Sequence, residues 1–351
     1  MTNANTQHAK KIYVIYTGGT IGMVATANGY IPQSGYLLNK IKHIQEFYHN
    51  AVPEFVIDEH HPLIDSANVQ PQDWINLAKK ITHHYHQYDG FVILHGTDTL
   101  AYTASALSFI LDGLNKPVIC TGAQIPISAI RSDATDNILH SLILAADQRI
   151  KEVCIYFNKQ LLRGNRTVKV NSFAMNAFQS PNYPLLGEIG IDIMLDEKKL
   201  LTTNSTHGSP MVIESTHQPK IAMINVFPGM DINILEKIMQ PPLQAAILKT
   251  YGQGNAMDSP RLLKVLTAAV NRGVIIINCS QCLQGYVKMN AYKTGSHLLE
   301  AGVLSGFDMT DEATLTKIFY LLSTGLSTVD IKENMRCNLR GEVTIVPGGK
   351  T

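Results

Sequence analysis

Phe91-Val-Ile-Leu-His-Gly-Thr-Asp-Thr-Leu-Ala-Tyr-Thr-Ala-Ser-Ala-Leu-Ser-Phe-Ile-Leu-Asp-Gly-Leu114 decides the fold class. Its opening residues, Phe91–Leu94, form an unbroken apolar run, the pattern of a strand buried on both faces of a parallel sheet. His95–Thr99 then interrupts the run with a glycine and polar side chains. From Thr99 to Leu114 small and apolar residues take over in a helical pattern that closes near Gly113. Strand, polar turn, helix is the unit from which parallel α/β layers are built. The same cadence extends outward to strands at Ile12–Tyr16, Pro117–Cys120 and Val153–Phe157. Pro71 opens a helix over Gln72–His83, because proline suits a first helical turn. Ser132 precedes a helix over Asp133–Asp147, with Asp133 and Asp136 where the helix dipole favours negative charge.

The alternation predicts an α/β protein whose larger N-terminal domain, residues 10–195, is a doubly wound, parallel-rich sheet. Residues 196–218 are polar and rich in turn formers, which places a linker there. Residues 219–351 then read as a smaller C-terminal α/β domain. Its strands are Ile221–Val226, Ala245–Leu248 and Val274–Asn278. Its helices are Asp231–Met239, Ser259–Asn271, Asp311–Leu322 and Ser327–Asn338, with Thr310 as an N-cap and Pro260 at a first helical position.

Composition narrows the function. The chain has 351 residues, 45% of them hydrophobic, enough for substantial cores. Its 29 Lys+Arg and 28 Asp+Glu leave a net charge of +1, with no extended basic run, so a nucleic-acid partner is not expected. No apolar run reaches the length of about 18 residues that spans a bilayer, and the polar start of the chain lacks a signal-peptide pattern, so no membrane partner is expected either. Five cysteines, few and odd in number, point to a reducing, cytoplasmic setting.

Three strands end in polar clusters: Tyr16-Thr-Gly-Gly-Thr-Ile-Gly22, His95-Gly-Thr-Asp-Thr99 and Thr121-Gly-Ala-Gln-Ile-Pro126. Ligands of open α/β sheets sit outside the carboxyl ends of the strands, near the point where strand order reverses. That rule gathers Thr20, Thr97 and Asp98 around one crevice. Each cluster has a bland reading as well, a tight glycine turn for the first and a helix cap for the second. Their joint occurrence at two strand ends favours function. The loop Asn28–Gly35 carries Tyr30 and is placed to close over a ligand. Leu161-Leu-Arg-Gly-Asn-Arg-Thr-Val-Lys169 brings positive charge to the same sheet, and Asp65-Ser66 lies in a short loop before the Pro71 helix.

Competing motifs fail. Gly18–Gly22 does not match G-x-G-x-x-G and runs into a loop instead of a helix, and no Walker A sequence exists. Cys279-Ser-Gln-Cys282 follows a strand, as a redox dithiol does, but no clear helix follows and no second CxxC completes a zinc site. Structural cysteines fit better. The 13 histidines include no H-E-x-x-H, so no metal is implied.

Together these stretches closely resemble the bacterial type I (cytoplasmic) L-asparaginases over nearly the whole length. Thr-Gly-Gly-Thr-Ile-Gly and His-Gly-Thr-Asp-Thr carry the resemblance most specifically. Gly122-Ala-Gln-Ile-Pro126, Arg131-Ser-Asp133, Arg163-Gly-Asn-Arg-Thr167, Tyr251-Gly-Gln-Gly-Asn255 and Asn338-Leu-Arg-Gly-Glu342 add to it. It implies hydrolysis of L-asparagine to L-aspartate and ammonia without a cofactor, with a weak glutaminase side activity. It implies Thr20 as nucleophile with Tyr30 beside it, and Thr97, Asp98 and Lys169 as a second catalytic group, in which Thr97 either orients a water or is an alternative nucleophile with Lys169 supporting its deprotonation. Asp65 and Ser66 would hold the substrate's α-amino and α-carboxylate groups, with Asp98 also facing the amine. The family's usual homotetramer, a dimer of dimers, is implied too, with Asn255 resembling a residue that reaches a neighbouring subunit's site.

Some type I members bind asparagine at a second, activating site. Lys249 stands at that site's arginine position, Val168 at a threonine position and Cys282 near it. Lysine lacks the bidentate fork that suits a carboxylate, so strong cooperativity is not expected. Two other classes share these features: the amide-hydrolysing subunit of a tRNA-dependent amidotransferase, and a non-catalytic amino-acid sensor. The former carries an additional N-terminal domain, whereas here about 11 residues precede the first strand. The latter has no need of a full set of reactive side chains.

Overall fold

A computed structural model describes residues 10–27, 29–202, 208–212 and 218–344. The first apolar run becomes β1 (Lys11–Gly18). Then follow β2 (Met23–Thr26), β3 (Gly29–Pro32), α1 (Tyr36–Ile41), β4 (Glu54–Ile64), α2 (Pro71–His83), β5 (Gly90–Leu94), α3 (Leu100–Ile110), β6 (Val118–Thr121), α4 (Ala134–Ala145) and β7 (Val153–Phe157). Short strands β8 (Gln160–Arg163), β9 (Val168–Lys169), β10 (Phe178–Gln179), β11 (Gly187–Ile189) and β12 (Ile193–Leu195) complete this part of the chain.

Eight of these strands form one sheet in the order β12-β11-β8-β7-β6-β5-β1-β4. From β4 to β7 the neighbours run parallel, and β8, β11 and β12 add antiparallel pairs at the far edge. The chain leaves β1 for β4 on one side and returns to β5 on the other. Strand order therefore reverses at β1, and a crevice opens at the carboxyl ends of β4, β1 and β5.

The core explains why the continuous apolar runs fold as they do. Phe91, Val92, Ile93 and Leu94 are each 0% exposed, and burying a side chain of this size stabilises by about 1.5–3 kcal/mol at most. Helix α3 is buried nearly all round, and its small residues Ala101, Ala104, Ser105 and Ala106 allow that close packing. A hairpin of β2 and β3 stands where a plain loop was expected. Met23–Thr26 pairs antiparallel with Gly29–Pro32, and the Thr26 hydroxyl donates to the Gly29 carbonyl at 2.7 Å.

The second unit contains β13 (Ile221–Asn225), α5 (Ile232–Ile238), β14 (Ala245–Thr250), α6 (Pro260–Asn271), β15 (Ile275–Ser280), α7 (Lys293–Glu300), β16 (Leu304–Ser305), α8 (Asp311–Ser323) and α9 (Thr328–Arg336). Its four strands pair in parallel, in chain order. One face buries Leu248, Leu266, Ile276 and Leu298, the other Ile247, Ile277, Ile318 and Met335. The helix starts follow capping rules: Ser259, Thr310 and Ser327 each accept a backbone N–H from the first turn of α6, α8 and α9. By contacts, the first unit takes the described residues up to Ser180 and from Pro184 to Val212, and the second takes Pro181–Tyr183 and the described residues from Gln218 on. Met211 pairs with Asp112 inside the first unit, and residues 203–207 and 213–217 of the expected linker lie outside the described residues.

Candidate active site

Backbone contact between strand ends assembles the candidate site. Gly19 has φ +84°, and a Cβ there would collide with the Cα of Gly96. A Cβ on Gly96 would in turn collide with the Ser66 hydroxyl. Glycine at both positions lets the turns after β1, β4 and β5 lie directly on one another. The Thr20–Gly22 turn, closed by Gly22 N donating to Gly19 O at 3.3 Å, is thereby held against the Gly96–Thr97 turn. After β4, the Asp65 carboxylate accepts the Ala67 N–H at 3.2 Å and starts a short helical turn that buries Ser66.

After β5, helix α3 begins only at Leu100, and Thr99 occupies the N-cap position without capping it. The Thr99 hydroxyl donates instead to the Ser66 carbonyl at 2.7 Å, tying the turns after β4 and β5 together. Thr97 and Asp98 are not consumed by the helix. Lys169, on β9, donates to Thr97 Oγ1 at 2.9 Å and to Asp98 Oδ1 at 2.7 Å. Thr97 is buried, whereas the Asp98 side chain is 65% exposed, so the array runs from the interior to solvent.

His95 supports this array from beneath. Its Nδ1 lies 2.7 Å from the Gly96 carbonyl and its Nε2 lies 3.0 Å from Thr103 Oγ1. The Trp74 indole N–H donates to that same hydroxyl at 3.2 Å. A carbonyl only accepts, so Nδ1 carries the proton, and the Thr103 hydrogen goes to Nε2. Burial lowers the His95 pKa and keeps the imidazole neutral, as this tautomer requires.

Tyr30 sits on β3 and is 56% exposed. The end of its hairpin is pinned by Glu59 of β4, which accepts the Ser34 hydroxyl at 2.5 Å and the Gly35 N–H at 3.0 Å. Gln124, to which the sequence assigned no role, accepts a hydrogen bond from Thr97 Oγ1 at 3.3 Å. Its advance signals are membership of the third polar strand-end cluster and of the family-like stretch Gly122–Pro126.

Thr20, Asp65, Ser66, Thr97, Asp98 and Lys169 thus come from neighbouring strand-end segments of the first unit. Asn255, Lys249 and Cys282 belong to the second. Asn255 accepts the Thr294 hydroxyl at 3.0 Å. Lys249 donates to both Asp311 carboxylate oxygens, at 2.7 and 2.5 Å. Cys279 is buried and Cys282 exposed, both as free thiols, so the structural reading suits Cys279 but places Cys282 outside the core. Among the described residues no cluster of His, Cys, Asp or Glu is arranged to hold a metal ion, and no helix is long and apolar enough to cross a membrane.

A doubly wound sheet with threonines, a lysine and carboxylates at its reversal point, followed by a second parallel α/β unit, defines a class of α/β enzymes. Residues 11–201 match the family model for the asparaginase N-terminal domain, and residues 220–335 that for the glutaminase/asparaginase C-terminal domain. L-asparaginase 1 of Escherichia coli is 47% identical over 336 residues, covering 95% of this chain and 98% of its own. The crystal structure of L-asparaginase I from Vibrio cholerae superposes with a TM-score of 0.88 at 45% identity, covering 96% of this chain and 100% of that one. The thermostable L-asparaginase from Thermococcus kodakarensis gives 0.83 at 31% identity, with coverage of 96% and 100%. The chain belongs to the asparaginase family.

Proposed function

We propose that the protein hydrolyses L-asparagine to L-aspartate and ammonia, with no cofactor. The observation that carries this reading is the hydrogen-bonded array of Thr97, Lys169 and Asp98 beside the Thr20 turn, at the point where strand order reverses. Asp65 and Asp98 suit the α-amino group of a zwitterionic substrate, and Ser66 suits its α-carboxylate.

In this reading the Thr20 hydroxyl attacks the side-chain carboxamide carbon, with Tyr30 brought over it by the hairpin. A threonine hydroxyl is a weak nucleophile and needs a proton relay. The tetrahedral intermediate collapses as the C–N bond breaks, and the amide nitrogen leaves as ammonia after taking up the hydroxyl's proton. The β-aspartyl ester left on Thr20 is then hydrolysed by a water oriented at Thr97 and Lys169, which releases L-aspartate and restores the hydroxyl. Backbone N–H groups near Gly19–Thr20 and Thr97 are the candidate donors to the oxyanion, each contributing about 3–4 kcal/mol to transition-state stability. Glutamine differs by one methylene, which a pocket discriminates by about 10–200-fold, so a weaker glutaminase activity accompanies the main one.

Ammonia release from L-asparagine, L-glutamine and D-asparagine tests the assignment. L-asparagine should give the highest kcat/KM, and Thr20→Ala and Thr97→Ala should each lower it by on the order of a thousandfold. Wild-type rates in both variants would remove it. A cytoplasmic homotetramer completes the proposal, and sedimentation equilibrium measures its assembly.

A further inference from the structure

Gln124 lies in the turn after β6, and its backbone is fixed from outside the turn. Asp133, at the start of α4, accepts the Gln124 and Ile125 N–H groups, each at 3.0 Å. Asn137 secures that carboxylate at 3.1 Å and also donates to the Gly122 carbonyl at 3.0 Å. Asp133 therefore serves the turn before its helix in place of the helix's own N–H groups. On the side chain, Nε2 donates to the Ala174 carbonyl at 3.0 Å, while Oε1 faces Thr97 Oγ1 at 3.3 Å. The amide orientation follows from the partners: a backbone carbonyl only accepts, so the NH2 end faces Ala174 and the oxygen faces Thr97.

That orientation determines where the Thr97 hydrogen points. An ammonium group only donates, and Lys169 donates to Thr97 Oγ1. The hydroxyl's single proton then goes to Gln124 Oε1. Ala174 belongs to a turn in which Asn171 Oδ1 accepts the Phe173 and Ala174 N–H groups, each at 2.8 Å, just beyond the strand that bears Lys169. One carboxamide thus joins the turn after β5 to the segment after β9, the two pieces of chain that present Thr97 and Lys169.

We propose that Gln124 is a positioning residue for the amide hydrolysis: its oxygen accepts the Thr97 hydroxyl's hydrogen bond in the resting enzyme and keeps a hydroxyl lone pair on Lys169, while its NH2 group locks the Lys169 segment in register. The proposal rests on the reading that this site hydrolyses carboxamides. It makes Gln124 act through Thr97 and Lys169, away from Asp65 and Ser66, so its loss falls on turnover and not on substrate capture.

Kinetics of Gln124→Met and Gln124→Glu on L-asparagine test it, in the native background and in Thr97→Val. Gln124→Met, matched in volume but without hydrogen-bonding groups, should lower kcat by about 10–100-fold and change KM by less than about threefold. Gln124→Glu, which keeps an oxygen toward Thr97, should recover several-fold of that loss. In Thr97→Val the Gln124→Met change should cost several-fold less than in the native background, because the Thr97 half of the contact is already gone and only the bond to the Lys169 segment remains to be lost. Equal losses in both backgrounds, or a raised KM at unchanged kcat, overturn the proposal. If the native protein releases no ammonia from L-asparagine, the functional reading fails by itself, and the crystal structure of Gln124→Met then decides the positioning role. A displaced Thr97 rotamer and a shifted 171–174 turn support it; both unmoved refute it.

Discussion

Glu312 is a buried acid that no proposed step uses. It is 7% exposed at the start of α8, and its Oε2 has no hydrogen-bond partner. Burial, reinforced by the neighbouring Asp311 carboxylate, raises its pKa from 4.5 to about 7, against the opposing hydrogen bonds from its own backbone N–H and the Thr310 side chain and a weaker pull from Lys249. The sign of the stability effect follows from linkage. Below the unfolded value of 4.5 both states hold the proton and nothing is lost. As pH rises from there to about 7 the unfolded chain releases its proton first, and the folded state is progressively penalised. Above that range the penalty is complete, at most about 3 kcal/mol. Glu312→Gln should therefore raise the unfolding free energy by about 1–3 kcal/mol at pH 8 and by almost nothing at pH 4. Urea titrations at pH 4, 6 and 8 check this, and a gain of the same size at all three pH values would show that the carboxyl's charge is not the cause.

Among the elements, the β2–β3 hairpin is a two-stranded sheet of its own, and Glu59 of β4 holds its end. Removing the Glu59 carboxylate frees the Ser34 hydroxyl and the Gly35 N–H, and so loosens the base from which Tyr30 is presented. Glu59→Ala should raise KM for L-asparagine and lower kcat together, each by about 3–10-fold, with Tm shifted by only a few degrees, because the bonds it breaks are exposed. A protein with native kinetics and faster proteolysis at the hairpin would separate the pin from catalysis. Among the long strands of the first unit, legibility tracked burial. The parallel strands β1, β5, β6 and β7 are buried runs and were readable as such. Strand β4 was not, because its residues alternate between half-buried and exposed, Val56 being 52% exposed. Helix α7 escaped because Gly295 reads as a breaker; it is there for close packing, since a Cβ would collide with the Met289 carbonyl oxygen. At the site, Thr20, Thr97 and Asp98 stood out as polar residues at apolar strand ends. Lys169, Tyr30, Asp65 and Ser66 gained roles only through the family resemblance. Gln124 stood in a quoted strand-end cluster but its role was not legible, because that role depends on Ala174, a residue fifty positions away in sequence.

At the scale of the whole molecule, charge and regulation meet in the second unit. A chain with a net charge of +1 has little long-range field with which to draw in a ligand, and a zwitterionic amino acid carries no net charge for such a field to act on. Capture then depends on short-range contacts, which puts weight on which cations remain available to a second asparagine carboxylate. Lys249, at the position the family resemblance links to activation, gives its ammonium to both oxygens of Asp311, and its side chain is only 14% exposed. A ligand carboxylate would have to displace that internal partner, and a lysine offers it a point charge in place of a two-pronged fork. Activation requires a differential affinity between two states of the enzyme, and a cation already neutralised within its own unit supplies little of it. The initial rate against L-asparagine concentration should accordingly follow a hyperbola with a Hill coefficient of about 1. Steady-state ammonia release measured from well below to well above KM decides the point. A Hill coefficient above about 1.5 would mean that the Lys249–Asp311 pair opens to the ligand, and Asp311→Asn would then shift the midpoint of the curve to lower asparagine.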